Sequence, residues 1–201
     1  APALMDISRE PAHIQQLYGM DNGATAGFGR QCLLARRMIE SGVRYTMLVH
    51  GVQIGGASWD DHGNVKAGMI RHSREVDKPV AGLLTDLKQR GLLKDTLVVW
   101  ASEMGRTSFK NGGLGKNPGR DHNGRALVMW MAGGNVKAGA TAGKTDEFSL
   151  RSVGESIHIR DVHATLLDLM GLDSERLEYL HGGRQRKLTN TGGSVLKEII
   201  A

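Results

Sequence analysis

Residues 95–105, DTLVVWASEMG, set five apolar side chains in a row before a serine, a carboxylate and, two residues later, a glycine. An uninterrupted apolar run of this length is typical of a strand that is buried on both faces of a parallel sheet. Its last residues would lie at the carboxyl edge of the sheet, where α/β proteins bind their ligands. The segment therefore predicts an α/β protein with Glu103 close to a functional site.

Apolar strands and amphipathic helices alternate on both sides of this segment. Apolar residues at helical spacing over 65–90 predict a long helix, which Pro79 could kink or break. Shorter helices are expected at 8–18, 29–41 and 161–170, and further buried strands at 43–49 and 126–132. The alternation predicts a single α/β domain over residues 1–201, in which helices cover both faces of a mostly parallel sheet.

Composition excludes several classes of protein. The 201 residues are 40% hydrophobic and 23% charged, which are ordinary values for a globular chain. The net charge is +5, but the Lys and Arg residues are scattered and are not interleaved with aromatic residues, so nucleic acid is not an expected partner. No apolar stretch approaches the roughly 18 residues that a membrane span needs. The lone Cys32 excludes an internal disulfide and a CxxC zinc site.

Three polar clusters follow predicted strands: residues 59–64 (WDDHGN), 101–107 (ASEMGRT) and 119–123 (GRDHN). Each brings a carboxylate or an imidazole close to glycine, and these side chains are the usual protein ligands of zinc and manganese. Because parallel strands end at one edge of a sheet, the clusters are expected to share a divalent-metal site. The expected ion is zinc, with manganese or calcium as alternatives. The expected ligands are Asp60, His62, Glu103, Asp121 and His122.

Each cluster also has a purely structural explanation, which the sequence leaves open. The alternatives are a turn capped by Asp60 or Asp61 with His62 packed on Trp59, a Glu103–Arg106 ion pair, and an ion pair of Asp121 with Arg120 or Arg125. Ser102 and Thr107 carry hydroxyl groups beside the second cluster, but neither has a neighbouring base. The sequence therefore assigns no nucleophile.

The glycine-rich loop from 106 to 125 carries several cations. Only Asp121 opposes them, so the loop fits a phosphate or a sulfate ester next to the expected metal ion. Arg106 and Arg120 are the candidate substrate-binding residues. The expected partner is a small anionic ester.

Several segments resemble the sulfatases and other members of the alkaline phosphatase superfamily. Residues 95–105 are similar to their DTLVVFTSDHG segment, and residues 161–172, DVHATLLDLMGL, are similar to their DLxPTLLDLxGL helix. Together with WDDHGN at 59–64, GRDH at 119–122 and TDE at 145–147, these motifs make nearly the whole chain resemble the C-terminal half of an uncharacterised, sulfatase-like bacterial family.

This resemblance implies an alkaline phosphatase-like α/β fold, of which the chain is an incomplete, C-terminal part. Asp60 and His62 look like the Asp/His metal pair of these enzymes. Glu103 looks like their next acidic ligand, and His122 like their late histidine ligand. Met104 stands where they have a ligating histidine, so one of two metal sites is expected to be altered or absent.

Two functional hypotheses follow from the resemblance. The first is a metal-dependent, hydrolase-like domain for phosphate or sulfate esters, whose nucleophile belongs to a half that this chain lacks. The alternative is a catalytically degenerate module for metal binding or assembly, which Met104 favours. A homo-oligomer or the missing N-terminal half would then cover the exposed sheet edge. The resemblance also implies an exported or periplasmic bacterial protein.

Overall fold

The computed structural model describes residues 2–53, 56–57, 59–111, 116–187 and 192–201. Its helices are α1 (Pro2–Met5), α2 (Ala12–Leu17), α3 (Ala26–Glu40), α4 (Val65–Gln89) and α5 (Ile159–Leu169), and a 3₁₀ turn spans Lys197–Ile199. Its strands are β1 (Val52–Gln53), β2 (Gly56–Ala57), β3 (Val98–Trp100), β4 (Gly105–Asn111), β5 (Gly119–Asn123), β6 (Trp130–Ala132), β7 (Glu178–His181) and β8 (Arg184–Lys187).

Short two-stranded sheets replace the predicted parallel sheet. The pairs are β1–β2, β3–β6, β4–β5 and β7–β8. Segment 95–105 supplies β3, in which Val98 lies opposite Ala132 and Trp100 opposite Trp130 in an antiparallel register. The prediction of a mostly parallel, alkaline phosphatase-like α/β fold is therefore wrong, and the described residues form a mixed α+β structure. An apolar run indicates burial, but it does not specify the direction of the strand that pairs with it.

Two predicted strands differ from the structure in the same way. Residues 43–49 form neither helix nor strand, and Tyr45 and Met47 within them are 69% and 71% exposed. The strand predicted at 126–132 is reduced to β6, and Val128 before it is exposed. A strand needs a neighbouring backbone to accept its hydrogen bonds, and apolar composition alone does not provide that neighbour.

The chain divides into two compact units. The first comprises Ala1–Thr96 and Phe109–Asp121, and the second comprises Leu97–Ser108 and His122–Ala201. Each unit is built from two separate chain segments. The single domain predicted over residues 1–201 therefore stays a prediction.

Helices α3 and α4 form the centre of the first unit, and local spacing predicted both of them. α4 continues through Pro79 as one helix, so the proline does not break it. The buried side chains of the first unit include Tyr18, Cys32, Leu33, Val76, Leu83 and Leu87.

Among the described residues, no helix combines the length and the apolar composition that crossing a membrane requires.

A buried ion network lies between these helices. Arg36 on α3 is 2% exposed, and its guanidinium nitrogens lie 2.8 Å from Glu10 Oε1, 2.7 Å from Glu40 Oε2 and 3.0 Å from Asp86 Oδ2. Asp86 on α4 also accepts hydrogen bonds from the Tyr18 hydroxyl at 3.0 Å and from Arg90 Nε at 2.7 Å. The charges of α3 and α4 thus neutralise one another inside the unit, an arrangement that the sequence patterns did not predict.

In the second unit, the start of α5 is fixed by reciprocal capping. The N-cap is His158, whose Nδ1 accepts a hydrogen bond from the Arg160 amide at 3.2 Å. The Asp161 carboxylate accepts bonds from the amides of Ser194 at 2.8 Å and His158 at 2.7 Å, and these bonds lower the pKa of Asp161. Asp161 therefore supports the helix start from inside the first turn, and α5 begins two residues before the helix predicted at 161–170.

Candidate metal centre

The WDDHGN segment lies beside the start of β5. Gly63 forms an antiparallel bridge with Pro118, and the Arg120 amide donates to the Asp61 carbonyl at 3.1 Å. The Asn64 amide donates to the Asn117 carbonyl at 3.0 Å. Backbone pairing thus brings segments 61–65 and 117–120 together, although they lie far apart in the sequence.

Within this paired region, the His62 imidazole lies between two carboxylates. His62 Nε2 is 2.9 Å from Asp60 Oδ1, and His62 Nδ1 is 3.8 Å from Asp121 Oδ1. The three side chains are 40%, 37% and 63% exposed, so water and small ions can reach them. A carboxylate beside one ring nitrogen can orient the imidazole while the other nitrogen binds a metal ion, as carboxylates do next to ligating histidines. The structure therefore brings together three of the predicted metal ligands, Asp60, His62 and Asp121.

Asp61 contributes a feature that the sequence analysis missed. Its carboxylate lies against the first turn of α4, where a Cβ on Gly68 would be 2.1 Å from Asp61 Oδ2. Asp61 Oδ2 is buried and has no hydrogen-bond partner among the described residues. The amide groups at a helix N-terminus favour a negative charge, which compensates part of the cost of this position. The feature of the sequence that could have indicated this contact is Gly68, a glycine in the first turn of the helix that follows Asp61.

The other predicted site residues occupy different positions. Arg120 is half-buried on β5 and belongs to the first unit, with Asp60 and His62. Glu103, Arg106 and His122 belong to the second unit, in which Glu103 and His122 are exposed and Arg106 is half-buried. Glu103 follows β3 in a bend and is exposed, rather than standing at the carboxyl edge of a parallel sheet.

Asn123 is a second residue that the sequence analysis missed. It is 6% exposed, and its amide nitrogen donates to the carbonyls of Ser149 at 3.2 Å and Leu150 at 3.1 Å. Its Oδ1 accepts a bond from the Arg125 amide at 3.0 Å. These bonds join the end of β5 to the loop that follows TDE at 145–147, and they fix the backbone directly after His122. A buried asparagine after a strand has no local pattern that would identify it.

Gly119→Ala is expected to disrupt the backbone pairing between segments 61–65 and 117–120. A Cβ at this position would lie 2.0 Å from the His62 carbonyl carbon, so one backbone must move. Overpacking of this kind costs about 1–3 kcal/mol, which urea unfolding followed by circular dichroism would measure. Gly124→Ala is the matched control, since a Cβ there meets nothing within 4 Å. Equal stability of the two variants would contradict the close approach of Gly119 to His62.

Comparisons with known proteins give one family. The sequence model of a family described as a protein of unknown function (DUF1501) matches residues 1–200. Comparisons with curated proteins and with solved structures give no match. The expectation of an uncharacterised family is thereby confirmed. Because the match covers nearly the whole sequence, the chain belongs to the DUF1501 family.

Proposed function

We propose that Asp60, His62 and Asp121 hold a divalent metal ion, zinc in the first place, in a domain that acts on phosphate or sulfate esters. The observation that carries the proposal is the Asp60–His62 contact of 2.9 Å, with the Asp121 carboxylate 3.8 Å from the other ring nitrogen. Carboxylate oxygens and an imidazole nitrogen are usual ligands of zinc, and catalytic zinc sites keep a further position open for water or substrate.

The ligand chemistry of the three residues supports this choice. Asp60, His62 and Asp121 are exposed, and each offers a carboxylate oxygen or a ring nitrogen to a metal ion. The sequence motifs add His122 and Glu103 as further candidate ligands. Manganese and calcium are the alternatives to zinc.

Arginines support the proposed class of substrate. Arg120 is joined to the metal-binding segment through the bond from its amide to the Asp61 carbonyl. Its guanidinium and that of Arg106 have the planar geometry that recognises the oxygens of phosphate and sulfate. A bound zinc ion would supply Lewis acidity to an ester oxygen. The similarity of the motifs to those of sulfatases favours a small anionic ester as substrate and an exported or periplasmic location.

A second function is favoured by one departure from the sulfatase pattern. Met104 stands in place of a histidine, and a thioether is a poor ligand for a hard metal ion. The alternative is therefore a module for metal binding or assembly that has no turnover. A homo-oligomer is compatible with this alternative. Metal binding by Asp60, His62 and Asp121 is common to both functions, so it is tested first.

Zinc binding is expected at about one ion per chain, measured by isothermal titration calorimetry and by mass spectrometry of metal content. His62→Ala and Asp60→Ala are expected to weaken zinc binding by at least 100-fold, since loss of an outer-shell partner alone costs about 10–100-fold. His13→Ala is the control, because His13 is an exposed histidine on α2. Unchanged zinc affinity in both site variants, or no binding by the unmodified chain, would contradict the proposed metal centre.

Turnover separates the two functions once the metal centre is established. Hydrolysis of aryl phosphates or aryl sulfates that depends on zinc and is lost in His62→Ala would support the hydrolase. Stoichiometric zinc binding without hydrolysis of either ester would favour the module.

A further inference from the structure

The indole of Trp59, directly before the proposed ligand Asp60, is held by a histidine. Trp59 Nε1 donates a hydrogen bond to His50 Nδ1 at 2.9 Å. The two rings meet edge to face, with centroids 5.7 Å apart. Phe28 also packs edge to face on the imidazole, with a centroid distance of 5.1 Å. The side chain of His50 is 15% exposed, and its Nδ1 faces one specific atom of Trp59.

The hydrogen bonds determine where His50 carries its proton. An indole N–H is a donor only, so His50 Nδ1 must accept and must be unprotonated. The proton of the neutral ring is then on Nε2, which faces Glu75 Oε2 at 3.2 Å. Uptake of a second proton would place an N–H on Nδ1, opposite the indole N–H. Two donors would face each other and the bond would be lost.

We infer that His50 is a positioning residue for the proposed metal-binding segment, and that it releases Trp59 when it takes up a proton. Trp59 precedes Asp60 and lies three residues before His62, so release of its indole frees the chain that carries both ligands. This consequence for metal binding rests on the proposed function. The release itself does not, since it requires no metal ion.

The groups around His50 support a release in mildly acidic solution. Burial is the main cause that lowers the pKa of His50 from its usual value of 6.5, and the neighbouring His72 lowers it further. Glu75 opposes both effects. Glu75 also lies 3.1 Å from His72 Nδ1, and Arg71 contacts His72 Nε2 at 3.0 Å. The pKa of His50 is lower in the folded chain than in the unfolded chain. The hydrogen bond between Trp59 and His50, here called the anchor, is therefore complete above pH 6.5 and is lost as the pH falls through the pKa that His50 has in the folded chain.

The test follows the indole N–H signals of the metal-free, ¹⁵N-labelled chain by nuclear magnetic resonance as the pH is lowered. The chain has three tryptophans, and Trp59→Phe assigns the relevant signal. At about pH 7.5 we expect a hydrogen-bonded Trp59 indole that exchanges slowly with solvent. Below pH 6.5 we expect one titration step in its chemical shift and the loss of its slow exchange. Trp100 and Trp130 stack on each other and serve as internal references.

Two variants make the assignment to His50 specific. His50→Asn keeps an acceptor oxygen but does not titrate, so the step is expected to disappear while the indole remains hydrogen-bonded. Glu75→Gln removes the charge that raises the pKa of His50, so the step is expected to move to lower pH. A step that is unchanged in His50→Asn overturns the inference. So does a Trp59 signal that stays constant down to about pH 5 while far-ultraviolet circular dichroism shows a folded chain.

The same samples distinguish this inference from the proposed function. A titration step at Trp59 without any zinc binding would support the anchor and contradict the metal centre. Zinc binding without a titration step at Trp59 would support the metal centre and contradict the anchor. If both are present, His50→Phe at about pH 7.5 is expected to weaken zinc binding, because it abolishes the acceptor for Trp59 without altering a proposed ligand.

Discussion

Arg36→Ala is expected to destabilise the chain by about 3–5 kcal/mol, the usual cost of removing one partner from a buried charge pair. Arg36 is 2% exposed, and the carboxylates of Glu10 and Asp86 beside it are 9% and 2% exposed. After truncation Glu10 would keep Arg37 and Asp86 would keep Arg90, but the buried cation between the two carboxylates would be lost. The free energy of unfolding from urea titrations, followed by circular dichroism, would measure the loss.

The matched control for Arg36→Ala is Arg30→Ala on the same helix. Arg30 is exposed on α3, so its truncation is expected to change stability by no more than about 0.5 kcal/mol. Arg36→Met tests the cause, because it restores volume but not charge and should remain clearly destabilised. A loss below about 1 kcal/mol for Arg36→Ala would show that water reaches the carboxylates and that the network is not a buried one.

Gly29→Ala is expected to destabilise the chain by about 1–3 kcal/mol, although alanine is the better helix former. Gly29 is buried on α3, and a Cβ there would lie 2.2 Å from the Tyr18 carbonyl oxygen. The backbone before α3 and the helix itself cannot approach as closely with a methyl group between them. Tyr18 would move, and its hydroxyl would lose the bond to Asp86.

Gly27→Ala is the control for this prediction, two residues earlier on the same helix. A Cβ on Gly27 meets nothing within 4 Å, so alanine is expected to stabilise the chain by roughly 0.5–1 kcal/mol through helix propensity alone. The two variants should therefore shift the thermal midpoint in opposite directions. A midpoint that rises in both would contradict the close packing of α3 on Tyr18.

Segments 59–64 and 117–120 are neighbours in the structure, but not for the reason that the sequence suggested. The sequence predicted that the clusters 59–64 and 119–123 share a site because parallel strands end at one edge. The structure joins them through an antiparallel bridge between Gly63 and Pro118 instead. Asp60 and His62 are close in the sequence, so their contact needs little tertiary information. The contact of Asp121 with His62 depends on the pairing and could not be assigned from spacing.

The buried ion pairs of the first unit likewise could not be predicted from the sequence, although they stabilise the fold. Nothing in the local pattern marks Arg36, Glu10 and Asp86 as partners, because charged residues on amphipathic helices normally face solvent. The hydrogen bond between His50 and Trp59 is equally invisible, since nothing in the sequence around His50 marks Trp59 as its partner. Burial of polar groups is decided by what packs against them, and sequence spacing does not report that.

The sequence by itself determined the helices α3, α4 and α5, because a helix closes its hydrogen bonds within a few residues and its apolar stripe is a local property. It also determined which side chains have the chemistry of metal ligands. Only the tertiary structure decided the strands, since each needs a partner from another segment, and it replaced a parallel sheet by short two-stranded pairs. It alone placed Asp121 beside His62, because non-local contacts depend on how segments meet rather than on what they contain.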